Sequence, residues 1–228
     1  MTPEFTILMP CLNESETLAA CIAEANKYAA HLGLSYEILI ADNGSADNSR
    51  EIAEKSGARV ITVPEKGYGN ALRGGISAAK GKYIIMADCD MSYNFANINE
   101  IAEKLRNGAD LVMGNRFKGT IEQGAMPFSH RYFGIPLLSL AGRLRFKTDV
   151  EDFHCGIRGF DRKKAIALNL KCTGMEFATE IIARFAMAGY KITEVPADLR
   201  RDGRSGHSHL RSIRDGLRHL IFILTCKK

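Results

Sequence analysis

Asp88 and Asp90 stand one residue apart, directly after the apolar run Tyr83–Ala87. Two carboxylates so placed can share a divalent cation with phosphate oxygens. Mg²⁺ takes one or two carboxylates and fills the rest of its shell with diphosphate and water. A cation there would neutralise the charge that builds on a departing diphosphate. Such a pair alone is an ordinary acidic turn; its place at the end of an apolar run singles it out. Asp42 ends another run and is followed by Asn43-Gly44-Ser45. A carboxylate there can accept hydrogen bonds from the N–H groups of uracil or guanine, or cap its own turn. Arg116 follows a third run, in Gly114-Asn115-Arg116, and its planar fork suits phosphate. Arg131 and Arg158 fit surface charges or internal ion pairs as well as a site. His130 and His154 fit packed or exposed positions as well.

The elements that must position these groups are legible from periodicity. Apolar runs at Phe5–Pro10, Tyr36–Ala41, Arg59–Val63, Tyr83–Ala87 and Asp110–Met113 read as strands. Helical patterns at Ser15–His31, Asp47–Ser56, Tyr68–Ala79 and Phe95–Asn107 separate them. Strands rich in Ile and Val alternating with helices predict an α/β fold with a mainly parallel sheet. Ser15 is a plausible N-cap, and Gly33, Gly57, Gly81 and Gly108 follow helices where a left-handed cap is wanted. Beyond Gly114 the pattern predicts helices over Phe133–Phe146 and Glu176–Ala188 and strands over Gly156–Phe160 and Lys191–Val195.

In open α/β sheets, ligands bind at the carboxyl ends of the strands. Each of the first five runs is followed there by polar residues: Pro10-Cys11-Leu12-Asn13-Glu14, Asp42–Ser45, Lys66–Asn70, Asp88-Cys89-Asp90 and Gly114–Arg116. Five such ends on one edge make a site. Gly67, Gly69, Gly74 and Gly75 follow the third run without a GxGxxG pattern. They read as a permissive turn into a helix near a nucleotide, not as a dinucleotide fingerprint.

The chain has 228 residues, 46% hydrophobic and 25% charged, enough for one large domain with its own core. The N-terminus carries no signal-peptide pattern. The apolar run Leu220–Leu224 falls far short of the about 20 residues that span a bilayer. Six cysteines without a CxxC pair read as reduced thiols of a cytosolic protein. Residues 200–228 hold eight Lys/Arg against two Asp, a local +6, so the other 199 residues sum to −1 out of the total of +5. A near-neutral body does not suit nucleic acid, whereas the basic tail asks for an anionic partner. Within the tail, 201–209 read as a flexible loop. Leu210, Ile213, Leu217, Leu220, Ile221 and Leu224 then share one helical face, with Arg211, Arg214 and Arg218 off it. That face suits a membrane surface, or packing on the domain or on a second copy.

Taken in order, these motifs resemble the family 2 glycosyltransferases of the GT-A fold. The carriers are Pro10–Glu14, Ala41–Ser45, Lys66-Gly67-Tyr68-Gly69-Asn70-Ala71 and the Asp88-x-Asp90 pair. Gly114–Phe117, Asp152–Phe160 and Gly174-Met175-Glu176-Phe177 resemble the polyprenyl-phosphate branch, the dolichyl-phosphate mannose and glucose synthases. The resemblance spans about residues 5–220. It implies a Rossmann-like nucleotide-sugar domain over 1–200, a mobile loop over 201–209 and a membrane-surface helix over 210–228. It implies a nucleotide-sugar site built from Pro10, Leu12, Asn13, Glu14, Asp42, Gly44, Ser45, Lys66, Gly67, Asn70 and Asp88, closed by Arg201, Arg204 and Ser205. Asp88 and Asp90 would hold Mg²⁺ or Mn²⁺. Asp90, Arg116, Arg131 and Asp152 would serve the transfer of a hexose, glucose or mannose, from a UDP- or GDP-sugar to a polyprenyl phosphate. The alternative acceptor is a glycan or other hydroxyl, with Asp152 as base. The setting implied is the cytoplasmic face of a membrane. Met91 and Ser92 depart from the residues usual in the family after the pair.

Overall fold

The computed structural model describes residues 2–31, 33, 35–205 and 211–227. One sheet holds β1 (Phe5–Cys11), β2 (Tyr36–Asp42), β3 (Arg59–Thr62), β4 (Tyr83–Met86), β5 (Leu111–Asn115), β6 (Arg158–Asp161) and β7 (Ile192–Pro196). Their order is β3-β2-β1-β4-β6-β5-β7. Neighbours are parallel except at β6, which runs antiparallel to both β4 and β5. The mainly parallel sheet expected from the alternation is the one found.

Side-chain alternation along the strands feeds two cores. Phe5, Ile7 and Met9 face α1 (Leu18–His31) and α4 (Ile98–Arg106), while Leu8 faces α3 (Tyr68–Ala78) on the other side. Each large apolar side chain fully buried in this way contributes on the order of 1.5–3 kcal/mol. α2 (Ser49–Lys55) covers the first face; α7 (Phe177–Met187) covers the second. α6 (Arg162–Ala167) is not anticipated by the sequence pattern: six residues are too few to show a period, although Asp161 caps it by accepting from Lys164 N at 3.0 Å.

Several boundaries shift for local reasons. α1 begins at Leu18, because the amides of Thr17 and Leu18 both turn back to the Glu14 carbonyl. Ser15 is therefore not its N-cap, and Ser15 N goes to Asp47 Oδ2 at 3.1 Å. The pattern before α4 opens as a 3₁₀ turn, Phe95–Asn97, with the Asn94 side chain accepting from Ala96 N. A π-helical turn, His130–Gly134, leads into α5 (Ile135–Phe146). Gly33, Gly57 and Gly108 adopt the positive φ expected of them. Gly81 does not; a Cβ there would meet the backbone of Phe5 and Thr6 at 2.6 and 2.5 Å, so close approach explains it.

α8 (Ser212–Thr225) packs on α5 and α7 through Asp215, His219 and Ile223. Its apolar stripe faces the other way: Ile213 is 90% exposed, Leu217 55% and Leu224 68%. Packing and an outward apolar face thus coexist on one helix. Residues 206–209 of the expected loop, and Leu210 of the expected stripe, lie outside the described residues. Among the described residues, no helix is long and apolar enough to cross a membrane.

Candidate active site

Parallel pairing brings the ends of β1, β2 and β4 to one edge, with Pro10 beside Ala41 and Cys11 beside Asp42. Because β6 runs the other way, its beginning arrives at that edge too. Arg158 lies in register with Met86 of β4 and Met113 of β5. The loop before β6 therefore delivers Asp152–Gly156 to the ends of β4 and β5.

The turns after β1 and β2 build each other. Asn13 adopts φ 56°, and its amide donates to Ser45 Oγ at 2.9 Å while its Oδ1 accepts from Ala46 N at 2.8 Å. Asp42 is buried and caps its own turn, accepting from Gly44 N at 3.3 Å and Ser45 N at 3.1 Å. Of its two sequence-level roles, the turn-capping one is thus realised. Asn43 was not singled out from the sequence, yet it is the hub: its Oδ1 accepts from Gly67 N at 2.7 Å, and its Nδ2 donates to Val63 O and Glu65 O. Lys66 Nζ donates to the carbonyls of Asn43 and Gly44 at 2.9 and 3.2 Å. Gly67 has φ 133°, and a Cβ there would run into the Thr173 carbonyl oxygen. Asn70 Nδ2 donates to Lys66 O, closing the turn into α3. Leu12 is half-buried beside this group, and Pro10 O accepts from Cys89 Sγ at 3.1 Å.

Asp88 and Asp90 follow β4. Asp88 Oδ1 accepts from Tyr68 Oη at 2.9 Å, and its Oδ2 abuts Gly156, where no side chain would fit. Burial pushes the Asp88 carboxyl up to about 6; Asp90 adds to this, while the Tyr68 hydroxyl and Arg158 oppose it. Asp90 Oδ1 accepts from Ser92 N at 3.0 Å and from Ser92 Oγ at 2.5 Å. Ser92 therefore orients Asp90, and Met91 between them takes φ 66° to make the tight turn. Two half-buried carboxylates one residue apart fit a divalent cation whose remaining ligands are phosphate oxygens and water. Among the described residues, no group of three or more His, Cys, Asp or Glu is gathered to hold an ion by protein ligands alone.

Arg204 lies over this pair. Its guanidinium donates to Asp90 Oδ2 at 3.1 Å, to Glu14 Oε1 at 2.8 Å and to Asp202. Burial pushes the Glu14 carboxyl up to about 7, against the pull of Arg204 and with Asp90 adding to the rise. Gly203 N donates to Asp90 O, and Ser205 donates to Glu16. Arg201 points elsewhere: its Nε donates to Gln123 O at 2.6 Å and its amide to Glu122. Of the three loop residues expected at the diphosphate, only Arg204 contacts the acidic pair.

Arg116 and Asp152 form a buried bidentate pair. Asp152 Oδ2 accepts from Arg116 Nε at 2.7 Å and from its amide at 3.1 Å, and Oδ1 accepts from Nη2 at 2.8 Å. Burial alone would raise the Asp152 carboxyl; the guanidinium overrides it and holds the group below the usual carboxylate range. Next in the chain, the His154 ring lies edge-on to His219 of α8, centroids 4.5 Å apart. Burial keeps both imidazoles neutral, that of His219 pushed down to about 4. Arg158 is fully buried behind Asp88, donating to the carbonyls of Ala178 and Cys155. Arg131 sits in the π-helical turn with its guanidinium 5.6 Å from the Tyr132 ring centroid; among the described residues it pairs with no carboxylate.

The chain matches the family model described as glycosyl transferase family 2 over residues 6–168. It is 35% identical over 225 residues to the low-salt glycan biosynthesis hexosyltransferase Agl6 of Haloferax volcanii, covering 98% of this chain and 54% of that protein. It thus spans about half the length of that relative. It is 30% identical over 210 residues to a dolichyl-phosphate hexose transferase of the same organism, covering 91% of this chain and 86% of the relative. Among solved structures, the glucosyl-3-phosphoglycerate synthase of Mycobacterium tuberculosis in complex with Mn²⁺, UDP and phosphoglyceric acid superimposes with a TM-score of 0.73. That match is 19% identical and covers 99% of this chain and 80% of the other, a likeness of fold.

Proposed function

The chain belongs to glycosyl transferase family 2, and from that premise we propose that it transfers a hexose from a nucleoside-diphosphate sugar to a polyprenyl phosphate. The observation that carries the acceptor is an exposed apolar face beside the Arg116–Asp152 pair. On α5 and the turn before it, Phe133, Leu137, Leu140 and Leu144 are exposed in one stripe, flanked by Phe128 and Tyr132. On α8, Ile213, Leu217, Leu220, Ile221 and Leu224 continue it. Both helices abut the residues after Asp152: Ser139 of α5 accepts from Phe153 N, and His219 of α8 meets His154. A lipid chain lying along this face would bring its phosphate to the arginine. The relative named as a dolichyl-phosphate hexose transferase supports the reading.

On this reading the acceptor phosphate oxygen bonds to the anomeric carbon as the bond from that carbon to the nucleoside diphosphate breaks. The acceptor is already ionised, so no base is needed. Arg116, preset by Asp152, meets phosphate, and Arg131 lies on the lipid side. Arg204 and Lys66 would lie against the diphosphate and the Asn13 and Gly44–Ser45 turns against the nucleoside, with Asp42 toward the base. A Mg²⁺ or Mn²⁺ bound by Asp88 and Asp90 would neutralise the leaving diphosphate. Transfer to a hydroxyl instead requires a base. Asp152 suits that poorly, because both its oxygens already accept from Arg116. On the same reading, residues 201–205 would serve as donor strap and α8 as membrane contact, and the chain would work at the cytoplasmic face of a membrane.

The test is release of free UDP and GDP from a panel of UDP- and GDP-hexoses with Mg²⁺ or Mn²⁺, with and without polyprenyl phosphate in detergent. Release is expected only with the lipid. Asp90→Asn should lower it by about 100-fold or more, the scale of losing a positioned charge in a water-poor site, with melting behaviour unchanged. Release that proceeds equally to a glycan acceptor would overturn the lipid assignment.

A further inference from the structure

We infer that Glu194, in β7, is the positioning residue that sets the Arg116–Asp152 pair at the acceptor edge; this rests on the acceptor role proposed for that pair. Glu194 is nearly buried and faces two different pieces of backbone. Its Oε1 accepts from the amides of Glu151 and Asp152, at 2.8 and 3.1 Å. Its Oε2 accepts from Asn115 Nδ2 and Lys118 Nζ, both at 3.0 Å. Asn115 in turn uses its Oδ1 for the amides of Phe117 and Lys118, at 2.9 and 3.2 Å. One carboxylate thus ties the loop that carries Asp152 to the strand end that carries Arg116.

The tie matters because neither half is otherwise held by regular structure. β5 ends at Asn115, one residue before the arginine, and β6 does not begin until Arg158. The bidentate pair fixes Arg116 relative to Asp152, and Glu194 fixes both relative to the sheet, since it stands in register with Met113 of β5. Its hydrogen bonds go to the backbone of Asp152 and to the residue before Arg116, so it acts through them and not on substrate. The structure gives it no other task that a Leu or Thr in a strand would not fill better, since a carboxylate in a nearly buried strand position is costly unless fully used.

The experiment compares Glu194→Ala and Glu194→Gln with the wild-type chain. Ala removes both halves of the tie. Gln keeps an oxygen for the two amides but sets an amine against Asn115 and Lys118, which are themselves donors. Amide exchange resolved by NMR should be about 10-fold or more faster at Glu151 and Asp152 in the Ala variant, a local opening, and near wild type in the Gln variant. The signal of the Arg116 Nε–H, hydrogen-bonded to Asp152 Oδ2 in the wild type, should broaden in both. Nucleoside diphosphate with Mn²⁺ should bind both variants as it binds wild type, while transfer to polyprenyl phosphate falls by about 100-fold in the Ala variant and less in the Gln variant, as expected for a misplaced reacting group. Combined with Arg116→Lys, the loss should be non-additive. Unchanged exchange at 151 and 152 overturns the inference, as do unchanged transfer kinetics or strict additivity. If polyprenyl phosphate is no acceptor for the wild type, the proposed function falls, while the exchange arm and the Arg116 signal still decide the role of Glu194.

Discussion

Arg204 is surrounded by the carboxylates of Glu14, Asp90 and Asp202, the place where a divalent cation and a diphosphate would put their charges. The chain thus offsets the charge of Asp90 with a side chain of its own. A cation arriving at Asp88 and Asp90 shares Asp90 with that guanidinium. Arg204→Gln should bind Mn²⁺ several-fold more tightly without donor, because about 1 kcal/mol or more of competing charge-assisted hydrogen bonding is gone. The same variant should transfer more slowly once donor is present. The electron paramagnetic signal of free Mn²⁺ reads the first effect; equal binding by the two proteins would remove Arg204 from the competition. At this scale the sequence was informative where side chains end strands. Asp42, Asp88, Asp90 and Arg116 all stand at the edge where the periodicity puts them. It shows Asn43 and Tyr68 only as members of motifs and gives no sign of Glu194; all three matter through what they hold. Glu194 in particular lies within a strand, and its partners are 42 residues or more away in the chain.

α8 shows how one helix can satisfy two demands. Its inner face carries Asp215, His219 and Ile223, and its outer face carries leucine and isoleucine. Thr179 of α7 shares a hydrogen bond with His219 Nδ1 at 2.8 Å, and Arg218 pairs with Glu176 at 2.5 Å. The His219 imidazole is held at about 4 chiefly by burial, with Glu176 and Asp215 opposing, and Arg158 and Arg218 adding to the depression. Because the folded value lies below the ordinary one near 6.5, the unfolded chain takes up the proton first as pH falls. Stability from this group is therefore complete above about pH 6.5 and is lost progressively down to about pH 4, roughly 2 kcal/mol of it by pH 5. The raised Glu14 and Asp88 carboxyls work in the opposite direction over the same range, so the reading is a difference between proteins: going from pH 7 to pH 5 in denaturant melts, His219→Gln should lose roughly 2 kcal/mol less stability than wild type. A variant with the wild-type pH dependence would mean that His219 protonates freely in the fold. Helices of ten or more residues were legible from their period to within a few residues. α6 and the turn at His130–Gly134 were not, because short or π-helical segments do not repeat a period. The inward face of α8 was also hidden, since a polar residue carries no sign in the sequence that it will be buried.

At the scale of the whole molecule, the carboxylate edge and the apolar face of α5 and α8 are joined through residues 152–154. That arrangement lets a membrane lie against one side while the nucleotide pocket stays open to water. Introducing a charge at the outer face tests the proposed membrane contact separately from nucleotide binding. Leu217→Glu, on a residue 55% exposed and away from the core, should weaken binding to vesicles of anionic lipid by about ten-fold while nucleotide binding is kept. Sedimentation with vesicles checks it; undiminished binding would assign the face to protein contact. The parallel half of the sheet and the site edge were foreseeable from alternation alone, whereas the reversal at β6 was not. Nothing local in Arg158–Asp161 distinguishes an antiparallel strand from a parallel one.

That reversal also dictates an order of events during synthesis. β1 to β4 can pair as soon as they emerge, each next to a strand already made. β5 emerges next but has no neighbour, because its place in the sheet lies beyond β6. It must wait for residues 158–161, more than forty residues later in the chain, before it can dock. The nascent chain thus carries an open β4 edge and an unpaired strand, Leu111–Asn115, at the same time. Only when β6 inserts are the ends of β4 and β5 brought to one edge, so the Asp88–Asp90 turn and the Arg116–Asp152 pair are assembled together in a single late step.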